Sequence, residues 1–368
     1  MLLSLSNAPR DYAWGSISLI ADLEGRSPSG APEAEVWFGD HPGDPADVAG
    51  GGTLDAVTGG SLPYLLKILA AGGPLSIQVH PTIAQAKDGW AREAGLAADD
   101  PSRNYRDDNH KPELIVALSE RFDALGGLRP VEDTLRLLDA LGEGAGVQTL
   151  RAHLTGEDGL RDTISWLLSG DAAAEVAEIS AALATASDPE FDETLRAIRL
   201  VSERYPSDPG VVVALLMNHI VLRRGEGIFL RAGLLHAYLS GLGVEIMAAS
   251  DNVLRGGLTP KHIDVAELMR IVDATPGVVP VLAPADAPVT SYPVGVDDFA
   301  LRRVTLTGEP VTLEVRSPAM VLATSGSVSV SGADAEQQAV AVGTALFAAD
   351  EAALTLTGTG EAFIAQPG

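Results

Sequence analysis

The sequence contains no cysteine, and its acidic residues greatly outnumber its basic ones. Lysine and arginine together number 25, aspartate and glutamate 50, and the formal net charge is −25. Without cysteine the chain forms neither disulfides nor thiolate metal sites, and it has no cysteine nucleophile. A strongly acidic surface repels nucleic acid and anionic lipid, so partners of either kind are not expected. An anionic substrate would require a local cluster of basic side chains.

Long hydrophobic runs are also missing. No stretch of about 18 apolar residues is available to cross a membrane, and the N-terminal MLLSLSNAPRDYAW lacks the basic start and long apolar core of a signal peptide. Apolar residues nevertheless make up 46% of the chain, enough for a sizeable core. Because 368 residues exceed what one core usually organises, two or three domains are expected.

The hydrophobic pattern divides the chain into strand-like and helix-like regions. Short apolar runs broken by glycine and proline predict β-strands, whereas apolar residues three or four apart predict helices. The pattern predicts a mainly β protein, with a double-sheet barrel interrupted by helices and followed by a second β region. The predicted catalytic domain comprises residues 1–128 and 211–275. The predicted helical insertion comprises residues 129–210, and the predicted C-terminal β domain comprises residues 276–368. Within the insertion, Asp188 and Pro189 are typical of a helix start.

Residues 75–81, LSIQVHP, place polar side chains on one face of a predicted strand. The apolar residues at 75, 77 and 79 are expected to face one side, and Ser76, Gln78 and His80 the other. A hydroxyl, an amide and an imidazole in line suit a barrel interior that holds a ligand or a metal. A solvated strand face is the alternative for this segment taken alone.

Two further segments supply candidate ligands. In NHKPELIVAL, residues 109–118, Lys111 and Glu113 share one face, and Glu113 is either a metal ligand or general base, or a surface charge entering a strand. In FLRAGLLHAYLSG, residues 229–241, His236 stands among apolar and small residues, where a lone histidine is more often part of the core.

The number of candidate ligands favours a metal site. Gln78, His80, Glu113 and His236 supply nitrogen and oxygen without sulfur, a set that suits zinc or another borderline divalent ion, although glutamine is a rare zinc ligand. The remaining histidines lack comparable partners and are expected to be structural. They are His41, His110, His153, His219 and His262.

The segment VEIMAASDNVLRGGLTPKH, residues 244–262, gathers charged side chains in a loop that contains glycine. Arg255 and Lys261 are natural binders of phosphate or an oxyanion on an otherwise acidic protein, and Asp251 is expected to orient Arg255. An exposed polar loop with chance ion pairs is the alternative.

These segments resemble, in their order along the chain, those of type I mannose-6-phosphate isomerases. The resemblance covers residues 12–273, and the C-terminal 90 or so residues match only in being β-rich. The matching motifs are YAWGS, AEVWFGDHP, LPYLLKIL, PLSIQVHP, HKPEL, LHAYLSG and SDNVLRGGLTPKH.

The resemblance implies a cupin, or jelly-roll, barrel with an inserted helical domain and one zinc ion per chain. It implies Gln78, His80, Glu113 and His236 as the zinc ligands. It also implies that Arg255 is catalytic and that further residues line the sugar-phosphate pocket. Those further residues are Lys111, Glu245, Ser76, Asp251 and Lys261.

The reaction implied by the resemblance is the interconversion of mannose 6-phosphate and fructose 6-phosphate through an enediol. Arg255 or Lys111 would stabilise the enediolate, and the base is Glu245, Lys111 or a zinc-bound water. A monomer in the cytoplasm is expected. Two other classes stay open: a cupin-type metal-dependent oxidoreductase, because two histidines and a carboxylate also bind iron, and a non-catalytic sugar-phosphate-binding protein.

Overall fold

Strands outweigh helices, and the strands form two antiparallel sheets, which confirms the mainly β prediction. The fold is taken from a computed structural model. It describes residues 1–157, 159–283, 285, 287–333 and 336–368.

The first third of the chain alternates strands with three short helices. The strands are β1 (Leu2–Ser6), β2 (Glu35–Phe38), β3 (Asp47–Val48), β4 (Tyr64–Ala71), β5 (Gln78–Val79), β6 (Glu113–Ala117) and β7 (Phe122–Leu128). The helices are α1 (Leu19–Glu24), α2 (Leu54–Thr58) and α3 (Ile83–Arg92).

The middle of the described chain is helical. It contains α4 (Val131–Asp139), α5 (Ala145–Leu154), α6 (Gly159–Ser169), α7 (Ala173–Leu183), α8 (Asp192–Arg204) and α9 (Gly210–Leu215). The predicted helix start at Asp188 and Pro189 is wrong, because α8 begins at Asp192 and the preceding residues form a turn in which Phe191 N–H donates to the Asp188 carbonyl at 3.2 Å.

The pattern of residues 211–258 predicts strands, but the chain is still helical at residue 211 because α9 occupies that position. The Asp208 carboxylate accepts the Gly210 N–H at 2.7 Å, at the start of the helix. All six residues of α9 are buried, so the helix has no polar face from which a period could be recognised.

Strands resume after α9 and continue to the C-terminus. The first group is β8 (Met217–Leu222), β9 (Gly227–Leu230), β10 (His236–Ala248) and β11 (Leu254–Arg255), followed by helix α10 (Val265–Ile271). The second group is β12 (Val281–Leu282), β13 (Val289–Tyr292), β14 (Ala300–Thr307), β15 (Val311–Glu314), β16 (Ala319–Ser331), β17 (Gln338–Val340), β18 (Ala345–Ala348) and β19 (Ala353–Gln366).

The two sheets do not divide the chain at one point. The ten-stranded sheet contains β2 and β4–β12, whereas β1 and β3 belong to the nine-stranded sheet with β13–β19. Strand β1 pairs antiparallel with β18, so the N-terminus is hydrogen-bonded to the C-terminal sheet. The three-domain division stays a prediction.

Strand β10 is the centre of the ten-stranded sheet. Its Gly241–Ala248 portion pairs with β4, while its first residue, His236, pairs with Gln78 of β5 and with Gly126 of β7. The two portions meet at Gly241, whose φ of +125° few other residues adopt. A Cβ at this position would lie 2.6 Å from the Phe122 ring, so glycine lets β10 bend where its partners change.

Alternation along the strands separates the apolar core from a polar interior. Leu66 and Ile68 on β4, with Val244 and Ile246 on β10, pack into a core shared with the nine-stranded sheet. Lys67 and Glu245, at the intervening positions, face the other side and are neighbours in register, as are Trp37 on β2 and Lys67. The sheet therefore directs its charged residues into the barrel.

The LSIQVHP segment follows the predicted alternation only in part. Ile77 and Val79 pack against the helical region, but Leu75 packs inside the barrel with Tyr238. Only Gln78–Val79 is regular strand, so the expectation that Leu75 shares the side of Ile77 is wrong.

Among the described residues, no helix is both long and apolar enough to span a membrane.

Helix α3 supports the segment that follows it, residues 93–106, through one close contact. A Cβ added to the buried Gly89 would lie 2.2 Å from the ring of Tyr105, whose hydroxyl donates to Glu267 at 2.6 Å. The aromatic ring therefore rests directly on the helix backbone.

We expect Gly89→Ala to lower the free energy of unfolding by about 1–3 kcal/mol, although alanine favours helices, because the added methyl group displaces the Tyr105 ring. Chemical denaturation measures the change. The control is Gly95→Ala, whose added Cβ meets nothing within 4 Å. Equal stabilities for the two variants would show that the packing of the Tyr105 ring does not require glycine at residue 89.

Candidate active site

Three buried side chains from separate segments of the chain converge: His80 directly after β5, Glu113 at the start of β6 and His236 at the start of β10. The nitrogen and oxygen atoms that His80, Glu113 and His236 can offer to a metal lie within 4.8 Å of one another. His80 Nε2 is 3.2 Å from Glu113 Oε1, and His236 Nε2 is 3.4 Å from Glu113 Oε2. Three of the four predicted ligands are thus brought together.

The other nitrogen of each imidazole is engaged by a backbone carbonyl. His80 Nδ1 lies 2.7 Å from the Asn252 oxygen, and His236 Nδ1 lies 3.0 Å from the Leu234 oxygen. A carbonyl only accepts, so Nδ1 donates its proton in both rings, and a ring in the neutral form then presents a lone pair at Nε2. Burial lowers the pKa of His80 to about 4, which keeps the ring neutral. Its Nε2 is buried without a hydrogen-bond partner, as expected of a nitrogen that coordinates a metal.

Gln78 lies beside this group on β5, where it pairs in register with His236. Its side chain lines a small inner cavity of about 60 Å³ together with Glu113 and His236. The Gln78 amide nitrogen lies 3.3 Å from Ser76 Oγ and donates to it, which leaves the amide oxygen free. The residues present therefore fit a divalent metal: two neutral nitrogens, one carboxylate and one amide oxygen.

A row of buried charges lies beside these ligands. Lys67 Nζ is 3.2 Å from Glu245 and 3.7 Å from Glu35, and Lys111 Nζ is 3.1 Å from Glu113 Oε1. The Tyr238 hydroxyl donates to Glu245 at 2.9 Å. Each buried charge thus has a partner, which is the condition for tolerating it.

Burial and these partners shift the pKa values in opposite directions. Burial raises the pKa of Glu245, and Lys67 opposes the rise only in part. Burial also acts to raise the pKa of Glu113, but Lys111 and His80 hold it well below its usual range. Burial acts to lower the pKa of Lys67, and Glu35 and Glu245 outweigh it. Glu113 is therefore the firmly ionised carboxylate, and Glu245 is the one closer to taking a proton.

An outer cleft of about 530 Å³ adjoins the inner cavity, with Lys67 and Lys111 lining both. Among the described residues its lining carries one carboxylate, that of Asp251. The basic residues of the lining are Lys67, Arg103, Arg106, Lys111, Arg255 and Lys261. The cleft is therefore cationic on a protein whose net charge is −25.

The expectation that Asp251 orients Arg255 is wrong. The Asp251 carboxylate lies 3.0 Å from His41 Nε2, and His41 was expected to be only structural. His41 also stands edge-on to Trp37, with the ring centres 5.0 Å apart. Arg255 is left without a carboxylate partner in the part of the chain that the structure describes, although it lies next to the ligand set because it pairs in register with Gln78.

Sequence reasoning missed Glu35, Lys67, Tyr238 and Arg106. A signal for Lys67 was present, since a single lysine stands inside the apolar run LPYLLKIL, and a lysine in a buried strand requires a buried partner. Nothing local marks Glu35 or Tyr238, because their significance comes from strands that are distant in sequence.

A second cleft, of about 720 Å³, lies between α8 and the loop around Trp14. It contains none of the predicted site residues. Two of its arginines are engaged by carboxylates, Arg121 by Asp123 at 2.8 Å and Arg196 by Asp192. The inner cavity and outer cleft are therefore the better candidate for chemistry.

Comparison with known proteins identifies the family. A sequence model described as the catalytic domain of type I phosphomannose isomerase matches residues 2–131. The mannose-6-phosphate isomerase of Escherichia coli is 36% identical, with 97% of each chain covered. The relative from Rattus norvegicus is 30% identical, with 88% of each chain covered.

Solved structures agree with the sequence relatives. A mannose 6-phosphate isomerase bound with zinc and yttrium has a TM-score of 0.89 at 33% identity, covering 100% of this chain and 99% of that one. A phosphomannose isomerase variant from Salmonella typhimurium has a TM-score of 0.90 at 32% identity, with the same coverage. The chain belongs to the type I phosphomannose isomerase family. The resemblance seen in the sequence motifs is confirmed, and these isomerases share the whole fold.

In this member of the phosphomannose isomerase family, the buried Lys67 provides a test of the row of buried charges. We expect Lys67→Met to lower the free energy of unfolding at neutral pH by about 3–5 kcal/mol, because Glu35 and Glu245 would stay buried without a cation. The loss should shrink towards pH 5. Unpaired buried carboxylates have a higher pKa in the folded protein than in the unfolded one. The variant protein therefore gains stability as the pH falls and loses it as the pH rises.

Urea denaturation at pH 7.5 and pH 5 measures both effects. The control is Lys87→Met, which removes the same charge from an exposed position on α3. A loss for Lys67→Met that does not depend on pH would argue against the buried carboxylates as its cause.

Proposed function

We propose that the protein is a zinc-dependent aldose–ketose isomerase that interconverts mannose 6-phosphate and fructose 6-phosphate through an enediol. The observation that carries the proposal is that a metal-ligand set, a row of buried carboxylates and a cationic cleft lie in two cavities that share Lys67 and Lys111. The names of the relatives and neighbouring structures support the same substrate and metal.

Zinc fits the donor atoms of the inner cavity. Gln78, His80, Glu113 and His236 would hold it, with no sulfur ligand and with both imidazoles directed by backbone carbonyls. When bound, the ion polarises the oxygen atoms on C1 and C2 of the sugar.

Glu245 is the base in this proposal. Lys111 is paired with Glu113 and is therefore a donor, whereas the raised pKa of the buried Glu245 makes it a stronger base than an exposed carboxylate. Glu245 removes the C2 proton of the open-chain aldose, the C–H electrons form the C1=C2 bond, and O1 takes a proton. O2 then gives up its proton while C1 takes one, and the ketose results.

The remaining predicted residues bind and orient the sugar phosphate. Arg255 stabilises negative charge on the enediolate oxygens with its paired N–H donors. Lys261, at the outer end of the cleft, contacts the phosphate. Ser76 and Asp251 face the inner cavity and the outer cleft, respectively, where they bind sugar hydroxyls. The monomeric state and the cytoplasmic location belong to the same proposal.

The cationic lining argues against the two other classes considered from the sequence. An oxygenase acting on a neutral substrate has no use for six basic side chains in its cleft. A binding protein without catalysis has no use for a base and four metal ligands beside the sugar site. The deciding experiment is a coupled assay of the purified protein with mannose 6-phosphate, and a metal-loaded sample without turnover would refute the proposal.

We expect His236→Ala to lose most of its zinc and its activity together, because the three remaining donors no longer close the site. Metal content is measured by mass spectrometry on the same preparation as the assay. His153→Gln is the matched control, since His153 stacks on Trp166 in the helical region. A variant that retains one zinc per chain would exclude His236 as a ligand.

We expect Arg255→Ala to retain zinc and folding while kcat falls by about a hundredfold or more, the usual loss on removing one donor to a developing oxyanion. Arg255→Lys should recover little, because an ammonium lacks the planar two-pronged donor geometry. The measurements are kcat and bound zinc for both variants. A kcat near that of the unmodified protein in either variant would assign Arg255 a role outside the chemical step.

A further inference from the structure

Four cations line the outer cleft without a carboxylate partner among the described residues: Arg103, Arg106, Arg255 and Lys261. Burial together with the charge of Arg106 lowers the pKa of Arg255, and Arg255 together with burial lowers the pKa of Lys261. Like charges held this close repel one another, so the arrangement is stabilised when an anion lies between them.

The backbone of Arg106 is held in place although its side chain is exposed. Its N–H donates at 2.7 Å to the side-chain oxygen of Asn252, a residue with 0% exposure. The amide nitrogen of Asn252 donates to the carbonyls of Asp107 at 2.9 Å and Asn109 at 2.8 Å. One buried side chain therefore fixes the loop on both sides of residue 107.

The guanidinium of Arg106 has more free donors than that of its neighbour Arg103. Arg103 lies over the Trp90 ring at 4.4 Å and donates to the carbonyls of Tyr105 and Leu96 at 2.8 and 3.2 Å. Arg106 donates from one terminal nitrogen to the Ala98 carbonyl. Arg103 thus holds its own segment together, whereas Arg106 can offer N–H groups to a ligand in the cleft.

We propose that Arg106 binds the phosphate of the substrate together with Lys261, and that it is a determinant of the preference for a phosphorylated sugar. The inference rests on the proposed function for the identity of the phosphate ester. Recognition of the phosphate group itself does not depend on that identity, because guanidinium donors match the geometry of phosphate oxygens and remain charged at working pH. Arg106 then reaches the substrate from the segment after α3, whereas Arg255 and Lys261 come from the loop after β10.

The test compares Arg106→Gln, Arg106→Lys and the control Lys87→Gln, which removes the same charge from an exposed position on α3 outside the cleft. Calorimetry with inorganic phosphate measures binding without turnover. Kinetics with mannose 6-phosphate measure KM and kcat, and unphosphorylated mannose serves as a competitive inhibitor.

For Arg106→Gln we expect the Kd of inorganic phosphate and the KM of mannose 6-phosphate each to rise about tenfold or more, the scale of one charge-assisted contact. The kcat should stay within about twofold, the Ki of mannose should not change, and the sensitivity of KM to salt should fall. Arg106→Lys should restore only part of the phosphate affinity, because an ammonium keeps the charge without the planar donor geometry, and Lys87→Gln should match the unmodified protein.

An unchanged Kd for phosphate in Arg106→Gln would overturn the inference, and so would an equal loss of affinity for mannose and its phosphate. Failure of the proposed function is a separate result. In that case the unmodified protein would not isomerise mannose 6-phosphate, while the change in phosphate binding on replacing Arg106 would still establish the anion site.

Discussion

The ammonium group of Lys67 lies between Glu35 and Glu245 inside the barrel, and the rest of the site is arranged around this buried pairing. With neutral imidazoles, the carboxylates Glu35, Glu113 and Glu245 carry three negative charges against the two positive charges of Lys67 and Lys111, a balance of −1. A divalent cation changes the balance to +1. The interior is then attractive to an anionic sugar on a protein whose overall charge is −25.

Local pattern marked the candidate ligands, and the resemblance to a family joined them into a metal site. Gln78 and His80 are two positions apart, so an extended chain places them on one face wherever it lies. Glu113 and His236 each stand at the beginning of a strand with strong apolar signals. Local pattern could not supply the change of pairing partners along β10, from β5 and β7 before Gly241 to β4 and β6 after it, because this change depends on contacts between distant segments.

The parts that were predicted wrongly or missed have a common physical origin. Helix α9 is buried on all sides, so its sequence carries no periodic contrast between apolar and polar positions. Asp251 pairs with His41, a residue 210 positions away, rather than with the nearby Arg255. The role of Lys67 depends on its ion pairs with Glu35 and Glu245, which lie on two other strands. Tertiary pairing decides each of these cases, and one sequence does not reveal it.

The position of Asn252 has a consequence for the size of molecule that the cavity accepts. Its backbone oxygen holds His80, while its side chain holds the loop of Arg106. The candidate metal ligand and the proposed phosphate-binding loop are thus held by one buried residue. In the proposed binding mode, a sugar phosphate that is one carbon shorter or longer does not match both contacts at once, so the fold selects chain length as well as chemistry.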